Sequence, residues 1–176
     1  MFEKAQIMDK SAVARAIARI SYEILERNKG VNNLCIIGVL SKGAYIANSI
    51  AHKIFEIEGK VVEVGMLDIT AFRDDEKAQS SIDKSTINFD VTDKKIVLVD
   101  DVIYTGRSTR AAIDAIMKRG RPKNIQLAVL IDRGHREIPI RPDYVGKNLP
   151  TSTGETVLLS TDENGVVERV SIYTAQ

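Results

Sequence analysis

Thirteen residues constrain this chain more than any other stretch: Ile96 to Ser108, IVLVDDVIYTGRS. The opening residues are apolar and mostly β-branched, the pattern of a strand covered on both faces within a parallel sheet. Asp100 and Asp101 end that strand, and Thr105-Gly106-Arg107-Ser108 turns into a helix opening with Thr109-Arg110-Ala111-Ala112. Open α/β sheets bind ligands just past the carboxyl ends of their strands. A glycine there permits a tight bend, and hydroxyls beside the free N–H groups of a helix start suit a phosphate. Two adjacent acids repel each other and cannot grip a phosphate. They suit sugar hydroxyls and the water shell of Mg²⁺, a cation that prefers oxygen ligands. The plainer alternative, a buried strand followed by an ordinary turn, leaves that paired charge without a purpose.

The flanking sequence supplies further α/β units. Val13, Ile17, Ile20 and Ile24 fall on one face of a first helix, capped by Asp9 or Ser11 and ended by Gly30. Arg15, Arg19 and Arg27 lie off that stripe, on what reads as a solvated face. Leu34 to Val39 is a second buried strand, followed by Leu40-Ser41-Lys42-Gly43 and a helix to about Ile57. Backbone N–H groups plus a lysine make that loop a plausible anion site. Val61 to Thr70 reads as a strand, and the polar run from Phe72 to Asp90 is long enough to be mobile or functional.

After the central stretch, Ala111, Ala112, Ala115 and Ile116 form a small apolar helix face, with Gly120 as the expected C′ stop and Pro122 beyond it. Ile125 to Ile131 is another buried strand, ending in Asp132-Arg133-Gly134-His135-Arg136-Glu137. Two shorter strands, Val157 to Ser160 and Val166 to Tyr173, flank Asn164-Gly165, a hairpin signal.

With 176 residues the chain is sized for one domain spanning 1–176. A net charge of +1 gives no global argument for nucleic-acid binding, so any such surface must be a local patch. The single Cys35 lies in an apolar run and reads as a buried, inert thiol; a chain without internal disulfides fits a reducing cytoplasm. No apolar run reaches membrane-spanning length, no signal-peptide core follows Met1, and no set of residues has metal-ligand spacing.

The strand, the acid pair and Thr105-Gly106-Arg107-Ser108 resemble the phosphoribosyl-diphosphate (PRPP) motif of the type I phosphoribosyltransferases. Nearly the whole chain is similar to one branch, the pyrimidine operon regulators that are also uracil phosphoribosyltransferases. Asp68-Ile69-Thr70, Phe72-Arg73-Asp74-Asp75, Gly120-Arg121-Pro122 and the run from Asp132 to Ser152 carry that likeness. The resemblance implies an α/β fold, a mainly parallel sheet flanked by helices. A small hood would be built from both chain ends and the Arg133–Pro150 region.

It implies the reaction of uracil and PRPP to UMP and diphosphate, with Mg²⁺ carried mainly by PRPP. Asp100 and Asp101 would be the catalytic acids. The PRPP site would comprise Ser41, Lys42 and Gly43 together with Asp100, Asp101, Val102, Ile103, Tyr104, Thr105, Gly106, Arg107 and Ser108. The nucleobase would lie near Arg133 and the backbone around Val157. A surface Arg133 paired with Glu137 is the competing reading. A hypoxanthine/guanine phosphoribosyltransferase is the alternative enzyme, but such enzymes usually carry a third Asp where Tyr104 stands, and a phenol is a poor base near neutral pH.

The resemblance further implies a cytoplasmic homo-oligomer that binds pyrimidine leader mRNA, with UMP or UTP as effectors. Arg19, Arg141 and Lys147, with Arg110 and Arg136 behind them, are the candidate RNA contacts. The family's first helix typically presents Thr and His to RNA where this chain has Ala18 and Tyr22, so an enzyme-only relative is the other possibility.

Overall fold

The computed structural model describes residues 1–75 and 82–175. Five parallel strands form the main sheet in the order β3-β2-β4-β5-β6: β2 (Leu34–Val39), β3 (Glu63–Leu67), β4 (Lys95–Ile103), β5 (Asn124–Asp132) and β6 (Tyr144–Asn148). Alternate residues of the central strands serve opposite faces, as a two-residue period requires. Ile36, Val97 and Val99 join one core with helices α1 (Lys10–Asn28) and α2 (Lys42–Glu58). Ile37, Ile96 and Leu98 join a second core with α3 (Arg107–Met117). Each fully buried Ile or Leu contributes about 1.5–3 kcal/mol relative to an exposed one, so this double cover fixes the middle of the sheet.

The stripe Val13, Ile17, Ile20 and Ile24 is buried on α1, as its spacing requires. Asp9 caps the helix by accepting the Ala12 N–H at 2.8 Å, a bond worth about 1 kcal/mol. The stop comes one residue earlier than expected: Lys29 takes the left-handed conformation, and the Gly30 N–H closes the turn on the Leu25 carbonyl. Arg19 and Arg27 are not simply solvated. Arg19 donates to the Val145 and Gly146 carbonyls, and Arg27 pairs with Asp143, so both tie α1 to β6.

Several boundaries shift from expectation. The acid pair does not end β4, which continues through Ile103, and α3 already begins at Arg107. The third strand is shorter than Val61–Thr70, because a 3-10 turn takes over at Thr70–Phe72. Gly120 is no C′ stop. The helix ends on Lys118, and a Cβ at Gly120 would lie 2.5 Å from the Thr92 hydroxyl, so close packing demands the glycine. Part of the polar run from Phe72 to Asp90, residues 76–81, lies outside the described residues; on its far side Thr86 bridges Met66 of β3.

A separate antiparallel sheet, β1-β8-β7, packs on the α1–α2 side: β1 (Phe2–Met8), β7 (Glu155–Thr161) and β8 (Val167–Thr174). This is the hood, and it is made of the two chain ends alone. The Arg133–Pro150 region, expected in the hood, instead sends a strand to the main sheet. Its strand β6 pairs with β5 in the main sheet, where Tyr144 is buried and donates its hydroxyl to Gln126 at 2.6 Å.

Candidate active site

The end of β4 and the start of α3 form the floor of a cleft with two adjoining hollows of roughly 260 Å³ each. The first is lined by Asp100, the run Val102 to Thr109, and Arg73, Asp74 and Asp75. The second, far more polar in character, lies between Leu40, Asp68, Thr70, Arg73, Asp100, Asp101 and Ser108. Arg73, Asp100, Val102 and Ser108 border both. The central stretch therefore comes together as one site, and Asp68, Arg73, Asp74 and Asp75 join it. No role was assigned to those four from sequence, although the runs that contain them carried the family likeness.

Local chemistry explains the bend. Gly106 sits at φ 91 as the residue before α3, a conformation that penalises any Cβ. The Thr105 hydroxyl accepts the Arg107 N–H at 3.3 Å, and the Thr105 carbonyl accepts the N–H groups of Glu137 and Ile138. The N-terminal turn of α3 thus opens onto the cleft with the positive end of its dipole, as an anion requires.

The two acids differ in setting. Asp100 is buried, and its carboxyl is held well above the usual carboxylate range, first by burial and then by the negative charge of Asp101. Its Oδ1 accepts the Asp101 N–H at 2.8 Å, and Asp101 Oδ1 accepts the Val102 N–H at 2.8 Å. Asp101 is half-buried and faces the second hollow. Asp68 is the opposite case to Asp100: hydrogen bonds from Thr70 hold its carboxyl below the ordinary value.

Leu40 lines the second hollow, but Ser41, Lys42 and Gly43 line neither hollow and differ in form from the loop expected. Lys42 and Gly43 already belong to the first turn of α2, the Leu40–Ser41 peptide is cis, and the Lys42 ammonium donates to the Leu159 carbonyl of the hood at 2.6 Å. Gly43 lies flat against β4. A Cβ there would meet the Val99 carbonyl oxygen at 2.7 Å and the Asp100 Cα at 3.1 Å.

Arg133 is not a surface residue paired with Glu137. It is buried, donates to Thr151 Oγ1 (3.0 Å) and to the carbonyls of Ser152 (3.2 Å) and Glu155 (2.6 Å), and lies 4.0 Å over the Tyr104 ring. Glu137 pairs with Arg107 instead. His135 packs edge-on against Tyr104. Val157 is buried in the core, so only its backbone on the hood's edge strand is available to a ligand.

Arg19 and Lys147 share a shallow hollow with Arg15 between α1 and β6, whereas Arg141 lines a separate hollow with Val145 and Asn148 of β6. Arg136 lines the same hollow as Arg141, whereas Arg110 is elsewhere. Arg110 donates to Asp114 and the Phe72 carbonyl, and Arg136 folds onto Asp132 and the Tyr104 carbonyl.

Comparison with known proteins identifies the family. A family model described as a phosphoribosyl transferase domain matches residues 3–164. A protein of Acetivibrio thermocellus named Bifunctional protein PyrR is 59% identical over 175 residues, covering 98% of this chain and 95% of its relative. The chain belongs to the PyrR family of phosphoribosyltransferases. A PyrR protein of Bacillus cereus is 54% identical over 178 residues, with 98% and 99% covered. Among solved structures, a hypoxanthine phosphoribosyltransferase of Trypanosoma cruzi superimposes with a TM-score of 0.75 at 15% identity, covering 99% of this chain and 98% of that one. A hypoxanthine-guanine phosphoribosyltransferase of Bacillus anthracis gives 0.73 at 17%, with 98% and 99% covered. At such identity these two share the fold with this PyrR relative and nothing finer.

Among the described residues no group of three or more His, Cys, Asp or Glu side chains is placed to hold a metal ion. Asp101 is a half-buried carboxylate in the second hollow, an oxygen donor of the type that Mg²⁺ prefers. No helix among the described residues is long and apolar enough to cross a membrane.

Proposed function

We propose that the cleft binds PRPP and uracil and transfers the phosphoribosyl group to uracil N1, giving UMP and diphosphate. The observation that carries this reading is the acid pair on a buried parallel strand, joined within a few residues to an open helix N-terminus. The bend from Tyr104 to Ser108 takes the 5′-phosphate on its N–H groups and hydroxyls. Asp100 and Asp101 receive the ribose hydroxyls, and Asp101 offsets positive charge as the bond from the anomeric carbon to diphosphate breaks. The diphosphate lies toward Leu40, with Ser41, Lys42 and Gly43 directly behind it. Mg²⁺ brought in on PRPP would draw charge from that leaving group.

Uracil lies toward Tyr104, Arg133 and the edge of the hood. Most of the rate comes from positioning, since no protein nucleophile is needed. The test is product formation from labelled PRPP offered with uracil, hypoxanthine and guanine. UMP is the expected product, and IMP or GMP without UMP would replace uracil by a purine. Asp101→Asn is expected to abolish turnover while leaving the unfolding midpoint in place; unchanged turnover contradicts the role given to Asp101.

A second activity has its own support. Arg15, Arg19 and Lys147 converge on one face, and Tyr22 stands exposed one turn after Arg19. Unpaired RNA is read by such a mixture of cations and a stacking ring. We assign this face to a loop of pyrimidine leader mRNA, with UMP or UTP in the cleft as effector, in a cytoplasmic homo-oligomer. Filter binding with and without UMP tests the RNA assignment. Salt-sensitive binding of every RNA alike, at micromolar strength, leaves an enzyme-only relative.

A further inference from the structure

The cations bordering the cleft are already engaged, and two of their partners, Asp74 and Asp75, border it too. Arg107, the first residue of α3, gives Nη1 to Asp74 at 2.5 Å and Nε to Glu137 at 2.7 Å. Arg73 grips Asp75 through Nε at 3.1 Å and Nη2 at 2.5 Å. Arg73, Asp74, Asp75 and Arg107 all line the first hollow, and Arg73 also reaches the second, beside Asp68 and Asp101. The four side chains are between 34% and 48% exposed, so these pairs are solvent-screened and readily exchanged. A phosphate carries more charge than a carboxylate and offers the same guanidinium fork a better partner.

We propose that Asp74 and Asp75 are internal competitors for Arg107 and Arg73, and that Arg73 is a further anion-binding residue of this cleft. The incoming diphosphate takes Arg73 from Asp75, and the 5′-phosphate takes Arg107 from Asp74. This rests on the phosphoribosyltransferase reading of the site. Its consequence is that two local ion pairs hold the affinity for phosphorylated ligands below what the cations and the helix terminus alone would give. The sequence makes this possible by placing a cation and two acids in succession at 73–75, directly opposite the start of α3.

Acids at a cleft wall also repel anions at a distance, so the pairs must be isolated by double-mutant cycles. Isothermal titration of the full-length protein with UMP and, separately, with inorganic diphosphate reads the effect. Asp74→Asn is expected to tighten UMP about two- to fivefold, the range of an exposed ion pair, and the gain should vanish in an Arg107→Gln background. Asp75→Asn should tighten diphosphate similarly, only while Arg73 is present, and Arg73→Gln alone should weaken diphosphate. Unchanged affinity in the two Asn variants, or an equal gain without the arginines, overturns the internal competition. Wild-type diphosphate affinity in Arg73→Gln overturns the role of Arg73. A wild-type protein that binds neither ligand removes the underlying reading, and the proposal with it.

Discussion

Replacing Arg133 with Met tests whether this buried guanidinium pins the hood to the main sheet. Methionine keeps the unbranched stem and loses the fork that reaches Thr151, Ser152 and Glu155. Three charge-assisted bonds at about 1.5 kcal/mol each, with about 1–2 kcal/mol for the cation over Tyr104, give a gross loss near 6 kcal/mol. Relief of the desolvated charge returns roughly 2–4 kcal/mol. The net expectation is a loss of about 2–4 kcal/mol, or roughly 5–15 °C in Tm for a chain of this size. Thermal denaturation reads the loss, and amide exchange should show 149–155 opening first. Arg133→Lys keeps the charge and forfeits the fork, so it should fall between Met and wild type. A Tm for Arg133→Met within a degree or two of wild type would refute the reasoning, and Arg133 would then be free to serve a ligand alone.

Three other outcomes follow from single residues. Burial and the charge of Asp101 raise the Asp100 carboxyl in the folded state, so its proton stabilises the fold fully below the unfolded value of about 3.9, and that contribution is lost as pH rises through the raised folded value. Asp100→Asn cannot titrate, and its stability relative to wild type should therefore climb between pH 4 and pH 8 in denaturant titrations; a flat or falling difference contradicts this. Gly43→Ala should cost about 1–3 kcal/mol by overpacking, against the roughly 1 kcal/mol that alanine usually gains in a helix, and the shift of α2 against Asp100 should cut turnover by up to about 100-fold. Cys35, buried and pushed up to about 11, should resist thiol reagents at pH 8 until the chain is unfolded by denaturant, and rapid native labelling would contradict its placement.

The parts of the molecule legible in the sequence are those whose pattern is local. β2, β4 and β5 announce themselves because burial on both faces leaves unbroken apolar runs, and the α1 stripe is visible because one helix face meets the core. β1 was missed. Phe2 to Gln6 are exposed, and the strand exists through pairing with β8, some 165 positions away. β6 was missed for a related reason: YVGKN is short and mixed, and its place is set by its pairing with β5 and by the buried Tyr144 hydroxyl on Gln126. At the site, the central stretch could be read because its residues are contiguous. The engagement of Arg107 by Asp74 and Glu137 could not, since opposite charges some thirty positions apart leave no periodic signal.

The central claim is that the lip of β4 and the first turn of α3 hold a ribose 5-phosphate. Diffraction from crystals grown with UMP tests it most directly. The account predicts phosphate oxygens about 3 Å from the N–H groups between Thr105 and Thr109, with the ribose hydroxyls on Asp100 and Asp101. A nucleotide bound at another surface while that turn holds only solvent would contradict it.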